Sequence, residues 1–124
     1  MLSSITPQNP SHLPDSITDI AGETQSLAQV LIGIRRHLHQ HPEVGMDEHN
    51  TARFIRQTLE SYGLDVHGPI AGTGLYVDIE GEAPGDTVGY RADIDALPTQ
   101  DQKRVPYRSK TPNVAHLCGH DAHT

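Results

Sequence analysis

The stretch LESYGLDVHGPIAGTGLYVDI (Leu59–Ile79) decides the fold, because the spacing of its apolar residues changes part-way through. Up to Tyr62 the spacing is helical: Ala52, Ile55, Leu59 and Tyr62 recur at intervals of three and four, which lines one face of a helix. Gly63 follows where a left-handed C-terminal cap belongs. Beyond it, Leu64 and Val66, and then Leu75, Val77 and Ile79, alternate with other residues as in half-buried strands. Gly72-Thr73-Gly74 is the turn between them. Helix giving way to strand points to an α/β domain.

Outward toward the N-terminus, Leu27, Val30, Leu31, Ile34 and Leu38 predict a first helix from Asp19 to Gln40. Arg35 and Arg36 fall in its last turns, where they complement the helix dipole, and Pro42 stops it. The second helix is expected from Asp47 or Glu48 to Tyr62, opened by those two carboxylates. Outward toward the C-terminus, GEAPGD (Gly81–Asp86) is a turn cluster. Thr87 to Asp93 reads as a third strand, pairing with the one before it. Asp95 to Thr111 has little periodicity and reads as loop. The predicted order is therefore α-α-β-β-β, a body of residues 19–124. Residues 1–18, which mix Ser, Thr, Pro and Asn without periodicity, are expected to be a disordered tail.

With 124 residues there is room for one modest domain, yet only 35% of them are hydrophobic and 4% aromatic. That is a thin core for the length. A net charge of −7 argues against binding nucleic acid, which needs clustered Lys and Arg, and against a polybasic membrane anchor. The single Cys rules out an intramolecular disulfide. No Lys or Arg precedes Arg35, so neither a secretory nor a mitochondrial leader is expected. No run approaches the ~20 apolar residues of a membrane span. The expected location is the cytoplasm.

The chemistry lies in HLCGHDAHT (His116–Thr124). Cys118 and His120 are separated by one Gly. In an extended segment side chains at i and i+2 point the same way, so thiolate and imidazole could converge on one ion. A soft and a borderline donor suit Zn, Co, Ni or Mn better than Mg or Ca. Asp121 could act directly or orient an imidazole. A Cys–His nucleophile pair, or a buried thiol among ordinary surface histidines, are the other readings of the same residues. His37, His39 and His41 precede Pro42; of these only His37 and His41, at i and i+4, could share an ion. The simpler account is that imidazoles are stabilised near a helix C-terminus when charged. Asp93 and Asp95 sit at a predicted strand end, where α/β folds place their sites, although turn aspartates are common for structural reasons.

Three segments, RRHLHQHPEVG (Arg35–Gly45), YRADIDALP (Tyr90–Pro98) and PYRSKTPNVAHLCGHDAHT (Pro106–Thr124), resemble the N-terminal part of the metal-dependent amidohydrolases. That family includes hippurate hydrolase, bacterial N-acyl-amino-acid amidohydrolases and indole-acetyl-amino-acid hydrolases. The likeness covers about residues 22–124. It implies the front of a zinc-peptidase-like α/β domain with a two-metal site, whose lid domain is absent from this chain. By the same resemblance Cys118 and His120 match two metal ligands, and Asp95 matches an aspartate that orients a metal-binding imidazole. Asp93 stands where relatives with another pattern carry a ligand His, so Asp93 and Asp95 are supporting candidates only. The remaining ligands and the general-base Glu are expected beyond residue 124, which leaves no catalytic residue in this chain. The implied cofactor is a pair of divalent ions (Zn, Mn, Co or Ni) and the implied substrate a small N-acyl amino acid. The implied assembly is a homo-oligomer formed through the lid. The alternative is a truncated, inactive remnant that binds metal weakly at most. Tyr90, Ile94, Ala115 and Asp101 depart from the family pattern without removing a ligand.

Overall fold

The computed structural model describes residues 17–124. They form helices α1 (Ile17–Gln40) and α2 (His49–Ser61), strands β1 (His67–Ile70) and β2 (Gly74–Tyr76), and a short helix α3 (His120–His123). The expected tail lies outside the described residues, save that Ile17 and Thr18 already belong to α1.

α1 ends as its sequence dictates. The last carbonyl, that of Gln40, accepts the Lys110 N–H at 2.9 Å, and Pro42 is buried beyond it. Of the predicted apolar stripe, Leu38 is buried while Leu27 and Leu31 stay exposed, so only the C-terminal end of the helix meets the core.

α2 starts one residue later than expected and by a different device. Neither Asp47 nor Glu48 caps it: Glu48 holds the N-cap position without a side-chain cap, because its buried carboxylate accepts the Thr73 hydroxyl at 2.7 Å. The cap comes from Glu43. The turn at Val44–Asp47, with Met46 at φ +70°, folds Glu43 back over the helix start. There its carboxylate accepts the N–H groups of Asn50 (3.2 Å) and Thr51 (2.7 Å). Burial pushes the Glu43 carboxyl up, but the donors on Thr51 and Asn50 outweigh it and hold the group below its ordinary range. At the other end Gly63, at φ +81°, closes a Schellman motif: Gly63 N–H bonds Glu60 O (2.9 Å) and Leu64 N–H bonds Leu59 O (3.3 Å).

The strands are shorter than the sequence suggests. β1 and β2 pair antiparallel, His67 opposite Tyr76 and Ile70 opposite Gly74. Arg56 on α2 ties the hairpin down through the carbonyls of Val66 and Gly68. The third strand expected over Thr87–Asp93 is not formed among the described residues, where residues 77–93 run without a ladder. Its alternating side chains have nothing to cover them: Val88 is 90% and Tyr90 82% exposed. The architecture is thus mixed α and β, in the order α-α-β-β-α instead of α-α-β-β-β.

What positions the site is a pair of isolated bridges around Ala96 and Leu97. Val44 bridges Ala96 in parallel, with Ala96 N–H donating to Glu43 O at 2.8 Å. Leu97 and Ala115 exchange both backbone bonds at 3.0 Å. The Arg35–Gly45, Tyr90–Pro98 and Pro106–Thr124 segments are thereby stitched side by side. Leu38, Ala96, Ala115 and His116 form the buried seam between them.

Candidate metal centre

The chain reaches His116 directly from that seam and then turns. Cys118 is exposed, Gly119 takes φ +83°, and α3 begins at His120. The expectation that residues 118–120 are extended is therefore corrected: the left-handed glycine breaks the alternation that would have aimed both side chains one way. Gly119 supplies that bend with no Cβ to oppose it.

His120 is half-buried and held. Its Nδ1 donates to the Asp95 carboxylate (2.9 Å) and lies 3.0 Å from the Asp95 carbonyl oxygen. With the proton fixed on Nδ1, the lone pair of the ring is on Nε2, the atom a metal would take. Asp95 thus orients an imidazole as the resemblance implied. Asp93 does not: its carboxylate pairs with Arg91 on the exposed side, while its carbonyl accepts the Thr124 hydroxyl at 3.0 Å.

Asp121 also orients an imidazole, but that of His39. His39 Nδ1 donates to Asp121 Oδ2 at 2.6 Å, and Arg35 Nε reaches the same oxygen at 3.0 Å. On the other edge of the ring, His39 Nε2 lies 3.3 Å from Asp101 Oδ2, out of line for a hydrogen bond. The account of His37, His39 and His41 as imidazoles stabilised at a helix end needs correcting here, since His39 is 1% exposed and set between two carboxylates. His37 stacks on Phe54 (4.1 Å between centroids), and His41 donates from Nδ1 to the His37 carbonyl at 2.9 Å.

Two buried groups have pronounced electrostatics. Burial pushes the Asp101 carboxyl up, yet the N–H groups of Ser109 (2.9 Å) and Lys103 (3.0 Å), with the Lys103 ammonium, bring it down to about 2. His116 is buried and both its ring nitrogens lack a hydrogen-bond partner among the described residues. Burial lowers its pKa, and although the Asp121 charge opposes this, His39 and His120 push the same way as burial. Among the described residues no three His, Cys, Asp or Glu side chains are grouped to hold a metal ion. Cys118 and His120 lie two residues apart, on either side of the Gly119 bend.

No family model matches the sequence. An N-acetyl-L-cysteine deacetylase of Bacillus subtilis is 46% identical over 99 residues, 80% of this chain and 24% of the relative. An N-acyl-L-amino acid amidohydrolase of Geobacillus stearothermophilus is 45% identical over 95 residues, 76% of this chain and 25% of the relative. The crystal structure of YXEP from Bacillus subtilis, described as a dinuclear metal binding peptidase of the M20 family, superposes with a TM-score of 0.74 at 40% identity. That match covers 78% of this chain and 27% of YXEP. The chain belongs to the M20 amidohydrolase family. It spans about a quarter of the length of the curated relatives it matches.

The sequence singled out Cys118, His120, Asp95 and Asp121, and the structure adds the contacts of Arg35, His39 and Asp101. One signal was available. Arg35 and His39 lie four apart on the helix face adjoining Leu38, a polar pair beside a core position.

Proposed function

We propose that the whole protein carrying this chain is a divalent-metal-dependent amidohydrolase that cleaves the amide bond of N-acyl amino acids. This chain supplies Cys118 and His120 to its metal site. The observation that carries this reading is the His120 imidazole, fixed through Nδ1 by Asp95 with Nε2 left to coordinate, two residues from the exposed thiol of Cys118. The donor types fit the group: a thiol and a neutral imidazole suit Zn, Co, Ni or Mn. The substrate class comes from the relatives named for N-acetyl-L-cysteine and N-acyl-L-amino acids. Two ions are proposed because the M20 peptidase neighbour is described as dinuclear.

When bound, such ions activate water and polarise the amide carbonyl. The residues of this chain have narrower tasks. Asp95 holds the proton on His120 Nδ1 and fixes the plane of the ring. Gly119 sets the turn between the two donors. The general-base Glu and the remaining ligands are assigned to sequence after Thr124, the homo-oligomer to a lid domain, and the location to the cytoplasm. No helix among the described residues is long and apolar enough to cross a membrane.

Replacing Cys118 with Ala in the whole protein is expected to lower bound metal and hydrolysis of an N-acyl-amino-acid panel together. The loss should be at least the ~10–100-fold that follows removal of groups supporting a metal ligand. Unchanged metal content with full activity would overturn the assignment. The second reading is a remnant, favoured by the lack of any three-donor group among the described residues. The DNA downstream of Thr124 separates the two. A frame continuing into further His and Glu motifs supports the enzyme, and a stop codon there supports the remnant.

A further inference from the structure

α1 sends into the site a histidine that the Cys118–His120 pair does not include. His39 is among the most deeply buried side chains described, and its two ring nitrogens face carboxylates from two other segments. On the Nδ1 side is Asp121, the residue next to His120 and part of the first turn of α3. A helix of four residues has no stability of its own. Its direction, and with it the set of the Cys118-Gly119-His120 turn, depends on what grips it from outside. The one carboxylate in that turn is Asp121, gripped by His39 Nδ1 and Arg35 Nε.

The grip is itself held rigid. Asp101, on the Nε2 side of the ring, is anchored by the backbone of Lys103 and Ser109. Tyr107 meets the imidazole edge-on at 5.9 Å between centroids, and the Arg35 and Arg36 guanidiniums lie 5.3 and 4.9 Å from the Tyr107 ring. His39 therefore has one position available, and in it Nδ1 points at Asp121.

We propose that His39 is a positioning residue of the metal centre. By donating from Nδ1 to Asp121 it sets the Cys118-Gly119-His120 turn in the geometry that receives the ion, and it touches neither metal nor substrate. This inference rests on the reading of Cys118 and His120 as ligands. It separates from a purely structural role through the donor. Asn presents an amide nitrogen near the place of Nδ1 and still donates to Asp121, whereas Leu fills the space and donates nothing. Both remove the ring and its packing on Tyr107.

The test uses the whole protein loaded with Co²⁺. It reads the Kd for the ion, the thiolate-to-Co²⁺ charge-transfer absorption and the Tm of the metal-free protein in His39→Asn, His39→Leu, Asp121→Ala and Cys118→Ala. His39→Leu and Asp121→Ala are expected to weaken Co²⁺ binding by roughly 10–100-fold and to alter the absorption band, while His39→Asn stays within about threefold of the original protein. The metal-free Tm should fall in both His39 variants. A Cys118-dependent band that is unchanged in His39→Leu, or binding lost equally in His39→Asn and His39→Leu, overturns this inference alone. A band that survives Cys118→Ala overturns the ligand reading, and the inference with it. Should His39→Leu fail to fold, the comparison of His39→Asn with Asp121→Ala, which removes the acceptor, decides: equal loss of binding in the two overturns the proposal.

Discussion

Asp101 keeps its charge where water does not reach it, at 1% exposure, because two backbone N–H groups and the Lys103 ammonium converge on its oxygens. Its folded pKa of about 2 lies below the ~3.9 of an unfolded aspartate. The carboxylate therefore contributes stability that is complete above about pH 4 and is lost as pH falls toward 2. Nearly two pK units correspond to about 2–3 kcal/mol. Urea midpoints measured from pH 7 down to pH 2.5 should drop most steeply below pH 4, and Asp101→Asn should flatten that limb. At pH 7 the same variant should cost about 2 kcal/mol, since one buried N–H loses its acceptor. His37 acts in a higher window. Burial lowers its pKa first, and the neighbouring His41 and Lys110 lower it further, so the folded state favours the neutral ring. The stability it contributes is present above the unfolded value of about 6.5 and is lost as pH falls through that range. The drop in Tm between pH 7 and pH 5 should shrink in His37→Gln. An unchanged drop would show that His37 does not titrate differently in the two states. Of the buried charge cluster only the Arg35–His39 pair, four apart on α1, was legible from spacing. The partner of His39 at Asp121 is 82 residues away, and local periodicity carries no information about such a pair.

At the scale of elements, what was legible is what is local. The period of three to four residues located α1 and α2, and Gly63 was found as a cap because a Schellman turn needs a residue at positive φ next to the helix end. The Glu43 cap was hidden, since it reaches α2 from outside through a turn whose shape the sequence does not announce. Glu43→Ala should destabilise by about 1 kcal/mol, the usual value of a lost N-cap, whereas Asp47→Ala should be near neutral. Equal urea midpoints for the two variants would contradict that assignment. Strand pairing is not local, which explains both the shortened β1–β2 hairpin and the missing third strand. Within the hairpin, Gly68 is the most constrained position. A Cβ there would sit 2.6 Å from the Gly74 carbonyl oxygen, at φ +121°. Gly68→Ala should cost at least about 2 kcal/mol, from backbone strain together with the clash. Gly81→Ala, whose Cβ would meet nothing nearer than 3.9 Å, serves as the neutral control.

For the whole molecule the decisive feature is an open apolar cleft. Ile55 and Leu59 of α2, Leu75, Val77 and Ile79 after the hairpin turn, and Val88, Tyr90 and Ile94 line one continuous concavity. Ile79, Val88 and Tyr90 are each more than three-quarters exposed. The alternation read from the sequence over residues 87–93 is that of a strand, yet a strand forms only when a neighbour accepts its hydrogen bonds, and none among the described residues does. The matched relatives are about four times as long as the aligned stretch, and their additional chain is where such a neighbour is to be sought. Hydrogen exchange distinguishes the possibilities. In the 124-residue chain the amides of residues 77–93 should exchange near the unfolded rate while those of α2 are protected. In a chain extended to the length of those relatives the same amides should slow by about a hundredfold or more, which corresponds to ~3 kcal/mol of local opening free energy. Equal rates in the two forms would mean that the cleft stays open, and that the alternation of Thr87–Asp93 serves something other than a sheet.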